Sequence, residues 1–191
     1  MQINEFDASK YSGKSDFFDL VQGDNKLRIV SHFAQRYSHF ENRKYLGPCT
    51  QQDSCPHCVA GNKPSVKFLC HIIDRKDGVL KVAQFGPAIL KQLQSLSKDP
   101  QYAFTVVPSW DCNIKKAGQG LETEYVVLAD RMDTPLTEEE TKAIALLKNP
   151  QMIVDAMDKK SFSKTTTSGD VKSDTSNEAG EEEIKVEDIP F

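Results

Sequence analysis

Residues 66–85 read VKFLCHIIDRKDGVLKVAQF, and this stretch decides the fold. From 66 to 74 the run is apolar, β-branched and aromatic, which fits a buried strand. Arg75-Lys76-Asp77-Gly78 is a turn, with Asp-Gly as its hairpin signal, and 79–85 is the returning strand. Upstream, 25–32 (NKLRIVSH) alternates Leu27 and Ile29 with Lys26 and Arg28, the pattern of a half-buried strand. Downstream, Pro87 opens a helix with Ile89, Leu90, Leu93 and Leu96 on one face, and Lys98-Asp99-Pro100 ends it. Segments 102–108, 111–116 and 123–129 read as strands, with a turn at Gly118-Gln119-Gly120. Thr137 and Glu140 form a capping box for a second helix that runs toward Asn149-Pro150, and 151–159 is a further short helix. Residues 1–19 are weakly patterned and read as a flexible arm or a short helix around 16–20. About five short strands with helices at two joints predict a mainly-β fold, a five-stranded barrel of the OB type. The layout is an N-terminal arm over 1–20, a barrel over 21–160 with a metal-binding insertion at about 32–64, and a disordered acidic tail over 161–191.

The chain has 191 residues, a net charge of −4 and 38% hydrophobic residues. That length fits one domain with appendages. No apolar run is long enough to span a bilayer, and the first residues lack a signal-peptide layout, so a cytoplasmic protein with no membrane partner is expected. The five Cys are an odd number, which argues against a disulfide framework and for metal ligands plus ordinary thiols. Charge is unevenly spread. Residues 161–191 hold three Lys against eight Asp/Glu, a net −5, while 26–76 holds nine Lys/Arg against three acids, a net +6. A chain with one basic face and an acidic tail binds polyanions with the first and is regulated through the second.

His39, Cys49, Cys55 and Cys58 are spaced H-x9-C-x5-C-x2-C inside that basic window. Three thiols and an imidazole close a tetrahedral shell around one zinc ion, leaving no open position, which is the mark of a structural site. In Cys55-Pro56-His57-Cys58 the tight turn aims two thiolates at one metal. Loop reach selects His39 as fourth ligand, with His32 as the alternative. His57 inside the knuckle points away, and Cys70 and His71 lie on a predicted strand. The pattern also suggests an enzyme, a zinc-dependent nucleobase deaminase, through His39-Phe40-Glu41 followed by the Cys pair. Ser54 stands where that pattern requires Pro, the gap from His39 to Cys55 is short, and Cys49 would have no role.

Around the metal segment, rings and cations interleave. Arg36, Tyr37, Arg43, Lys44 and Tyr45 precede it, while Lys63, Lys67 and Phe68 follow. Single-stranded nucleic acid is held in this way, by cations along the phosphates and rings against unpaired bases. Lys115 adds a further cation. Phe68, between Lys67 and Leu69, reads equally as core or groove, and Trp110 as a ligand-facing ring or a barrel plug. Duplex readers more often show a basic recognition helix, and none is evident. A second class remains open: a zinc-ribbon transcription or recombination adaptor acting mainly through protein contacts. The tail ends in Asp188-Ile189-Pro190-Phe191. Apolar residues with a free carboxylate after a run of acids suit docking into a basic-rimmed pocket on a partner.

Taken together, Cys49, Cys55-Pro56-His57-Cys58, Lys63-Pro64, Lys67-Phe68, 73–78 (IDRKDG), Phe85-Gly86-Pro87 and 118–125 (GQGLETEY) resemble bacteriophage single-stranded-DNA-binding proteins. The resemblance covers about 25–130. It implies an OB-fold with a zinc-bearing insertion and a non-enzymatic role coating single-stranded DNA in phage replication, recombination and repair, in the cytoplasm of the infected host. The last four residues resemble the terminus of bacterial single-stranded-DNA-binding proteins, which implies replication and repair proteins as partners.

Overall fold

The computed structural model describes residues 17–42, 44–51, 54–133 and 135–165. They are mainly β: eight strands in an open mixed sheet, with few helices. The strands are β1 (Phe17–Phe18), β2 (Gly23–Ile29), β3 (Ala34–Glu41), β4 (Lys44–Pro48), β5 (Ser65–Asp74), β6 (Val79–Phe85), β7 (Trp110–Ala117) and β8 (Glu124–Asp133). The helices are α1 (Pro56–Val59), α2 (Pro87–Lys98), α3 (Glu138–Ala145) and α4 (Pro150–Thr165). The chain divides into two compact units, Met1–Arg36 with Val66–Val154, and Tyr37–Ser65 with Asp155–Phe191.

In the first unit the order is β1-β6-β5-β2-β7-β8. β2 pairs antiparallel with both β5 and β7, β5 with β6, and β7 with β8. The expected hairpin at 66–85 is present in register, Cys70 opposite Ala83 and Asp74 opposite Val79. Alternation along the strands sends Leu27, Ile29, Cys70, Ile72, Ala83, Phe85, Cys112, Ile114 and Val127 into one hydrophobic core. Helix α2 lays Ile89 and Leu93 on it. Its Gln92 reaches β8, donating to the Tyr125 carbonyl at 2.7 Å and accepting from the Val127 N–H at 2.8 Å. Thr137 and Glu140 form the capping box of α3. Arg75 binds Asp111 at 2.8 Å, and Arg28 reaches the same carboxylate at 3.3 Å.

Several expectations are corrected. Eight strands are present where about five were expected: β1 and β4 are too short, and β4 too rich in Gly and Pro, to show a strand pattern, and β3 lies in the segment read as the metal-binding insertion. The helix expected around 16–20 is a strand at Phe17–Phe18, paired parallel with β6. The strand expected at 102–108 is irregular. Tyr102 and Phe104 instead pack edge-on to the Trp110 ring, and the Tyr102 carbonyl accepts the indole N–H at 3.1 Å. The disordered tail was expected from 161, but α4 continues to Thr165. The N-terminal arm over 1–16, the remaining tail and the docking motif Asp188-Ile189-Pro190-Phe191 lie outside the described residues.

Candidate metal centre and nucleic-acid interface

The second unit contains the ligand group. β3 and β4 form an antiparallel hairpin, with Ser38 opposite Pro48 and His39 opposite Gly47. The register then shifts between His39 and Phe40, so that Phe40 faces Tyr45. A bulge of this kind re-aims side chains. Ser38 and His39 are consecutive and both buried, whereas strict alternation would have put one of them outside. Gly47 sits at φ +145°, a conformation that side chains other than glycine's resist. After β4, Cys49 donates its N–H to the Tyr37 carbonyl at 2.8 Å, which fixes the exit of the hairpin. Cys55 and Cys58 flank the start and end of the first turn of α1, with Pro56 leading the helix.

His39, Cys49, Cys55 and Cys58 bring their ligand atoms within 4.8 Å of one another. Zinc bonds of about 2.3 Å to sulfur and 2.0 Å to nitrogen at tetrahedral angles require separations of about 3.8 Å between sulfurs and about 3.5 Å from sulfur to nitrogen. The Cys49 Sγ lies 3.9 Å from Cys55 Sγ and 3.6 Å from Cys58 Sγ. The His39 Nε2 lies 3.4 Å from Cys55 Sγ and 3.6 Å from Cys58 Sγ. The four residues therefore fit a tetrahedral ion such as zinc, and the sulfurs stand far outside disulfide bonding distance. The Cys55 thiol is held well below its ordinary range, above all by the Cys58 backbone N–H, while burial pushes the Cys58 thiol up. The Gln51 N–H points at Cys49 Sγ at 3.4 Å. Donors aimed at sulfur favour thiolates, the form that binds metal.

The alternative histidine is engaged elsewhere: His32 Nε2 lies 3.1 Å from Asn149 Oδ1. His57 is outside the ligand group, its ring 5.0 Å from that of His39. Cys70 is a core thiol, and burial raises its pKa well above the ordinary range. Glu41, which a deaminase would need as its proton carrier, is exposed at the end of β3 and outside the ligand group.

The expected nucleic-acid contacts fall in both units. In the second, Lys44, Tyr45 and Lys63 are exposed and Tyr37 is half-buried. Tyr45 meets Phe40 edge-on, centroids 5.6 Å apart, and its hydroxyl donates to Ser161 at 3.3 Å. Phe40 is 41% exposed, so this apolar ring stands at the surface. Arg43 lies outside the described residues. In the first unit, Lys67 is exposed, Phe68 half-buried and Arg36 buried. Lys115 is exposed and lies 3.5 Å from Asp24. Trp110 is only 3% exposed and belongs to the core, so it is not a ligand-facing ring. Asn62 was not singled out by sequence. Its amide lies between His39 and the Phe40 carbonyl, and an Asn four residues after a Cys carries no pattern by which to find it.

One curated protein resembles the chain: a probable ssDNA-binding protein of Escherichia phage T5, 39% identical over 67 residues. The match covers 34% of this chain and 24% of that protein. No family model and no solved structure matches the chain. Among the described residues, no helix is long and apolar enough to cross a membrane.

Proposed function

We propose that this chain binds single-stranded DNA without reading its sequence, and that a zinc ion held by His39, Cys49, Cys55 and Cys58 braces the hairpin that makes part of the contact. One observation carries the reading. In the β3–β4 hairpin and the turn that follows it, His39, Cys49 and Cys55 are buried, while Phe40, Lys44 and Tyr45 are exposed. The phage protein it resembles is named as a probable ssDNA-binding protein. Strand connectivity supports an OB-type reading of the first unit: β2 lies between β5 and β7, β6 and β8 follow outside them, and α2 joins β6 to β7.

Bound zinc supplies a closed, structural centre, with no ligand position left for a substrate. The binding chemistry belongs to the side chains. Lys44, Lys63, Lys67 and Lys115 neutralise phosphates, and the Asp24 partner of Lys115 is exposed enough to be exchanged for one. Arg36 and Arg43 add charge to the same window. Tyr45 and Tyr37, with Phe68 at its half-exposed edge, offer ring faces to unpaired bases. Every base has a π-face, so such contacts are indifferent to sequence. The protein acts as a non-enzymatic coat in phage DNA replication, recombination and repair in the cytoplasm of the infected host. Asp188, Ile189, Pro190 and Phe191 dock replication or repair proteins.

The test is fluorescence anisotropy with oligo-dT over a range of salt. The logarithm of the affinity falls linearly with the logarithm of the salt concentration, with a slope of about −0.7 per phosphate neutralised. Equal affinity for duplex, or binding that ignores salt, overturns the reading.

A further inference from the structure

Asn62 follows α1 and is anchored by its backbone N–H, which donates to the His57 carbonyl at 2.9 Å. Its side-chain amide makes two contacts. Nδ2 donates to the Phe40 carbonyl at 3.0 Å, and Oδ1 lies 3.1 Å from His39 Nδ1. The first contact fixes the second. A carbonyl can only accept, so the NH2 end must face Phe40 and the oxygen must face the imidazole. An oxygen there accepts a hydrogen bond, so the His39 proton sits on Nδ1. The Nε2 lone pair is left bare, and Nε2 is the atom 3.4 Å from Cys55 Sγ and 3.6 Å from Cys58 Sγ.

We infer that Asn62 is the positioning residue of the metal centre: it selects the His39 tautomer and ring orientation that ligate through Nε2. This rests on the metal-binding reading above. Outer partners of ligating histidines have this role generally, and their loss weakens metal binding by about 10- to 100-fold. The same amide binds the Phe40 backbone carbonyl, so one side chain joins the ligand to the strand that carries the exposed ring.

The experiment is cobalt(II) titration of the full-length chain under reducing conditions, reading the sulfur-to-cobalt charge-transfer and d–d bands. Two variants are compared with the native chain. Asn62→Leu removes the acceptor, and cobalt affinity falls by about 10- to 100-fold. Asn62→Asp keeps an oxygen acceptor for Nδ1–H but loses the donor to the Phe40 carbonyl, so affinity falls less than in Asn62→Leu. Nitrogen-15 NMR of the native metal-free chain shows His39 protonated on Nδ1, a readout that a merely structural asparagine would not control. If Asn62→Leu fails to fold, the Asp variant and the NMR spectrum decide. An Nε2-protonated His39, or an Asp variant that loses cobalt as a Leu variant would, overturns the inference. Asn62→Leu binding cobalt as tightly as the native chain, with the same bands, overturns it alone. A native chain that takes up no cobalt overturns the metal reading and this inference together.

Discussion

The two units are held together by different physics. In the first, a large apolar core is buried: Leu27, Ile72, Phe85, Leu93 and Ile114 are each nearly or wholly removed from water. Burial of that kind sustains a fold unaided. Among the described residues between 37 and 65 of the second, the buried positions are Ser38, His39, Gly47, Pro48, Cys49 and Cys55. Side chains of that composition contribute little hydrophobic stabilisation, and small units lacking a core rely on a metal or disulfides instead. Where the apolar side chains are missing, the metal ligands are present, and Phe40 and Tyr45 are left at the surface.

The largest effect expected from this contrast comes from removing a ligand. Cys55→Ser should abolish stoichiometric metal binding. Amide hydrogen exchange should then show loss of protection over 37–65, with β2, β5 and β7 protected as before. Uniform loss across both units would break the contrast. The converse variant is Ile114→Ala, which opens a cavity in the first unit and should cost about 2–5 kcal/mol in urea unfolding followed by β-sheet circular dichroism. Its cobalt spectrum should be that of the native chain.

At the surface, Tyr45→Ala should weaken oligo-dT binding by about 1–3 kcal/mol, roughly 5- to 150-fold, with metal content intact. The smallest effect concerns pH and the first unit alone. Burial depresses the pKa of His71, whose Nε2–H donates to the Lys148 carbonyl at 2.9 Å. The unfolded chain takes up this proton first as pH falls. The stability from a neutral His71 is therefore full above about 6.5, the ordinary value, and is lost as pH drops below it. Thermal unfolding should show a lower midpoint at pH 5 than at pH 7.5, and His71→Gln should flatten that slope.

Local patterns were legible in the sequence. The hairpin at 66–85, the α2 stripe and the Thr137–Glu140 cap each depend on residues a few positions apart. The ligand group was legible too, because ligand chemistry and spacing carry it and the intervening loop need only be long enough. What depends on distant contacts was not. β4 carries Gly47 and Pro48, which weaken a strand pattern, and it pairs with β3 all the same. The apolar run at 102–108 alternates like a strand, yet Trp110 takes its rings into a ring cluster. Trp110 itself shows why composition alone cannot separate a stacking ring from a core ring. Phe40 shows the reverse, since the bulge beside it leaves an apolar ring exposed.

The central claim is that metal binding builds the surface that holds DNA. It is tested most directly by measuring oligo-dT affinity on one preparation before and after removal of the metal by a chelator, then after zinc is restored. The account predicts a loss of tenfold or more on chelation, as ordering of 37–65 is lost, and recovery when zinc returns. Unchanged affinity in a preparation shown by mass spectrometry to have gone from one ion per chain to none would contradict it.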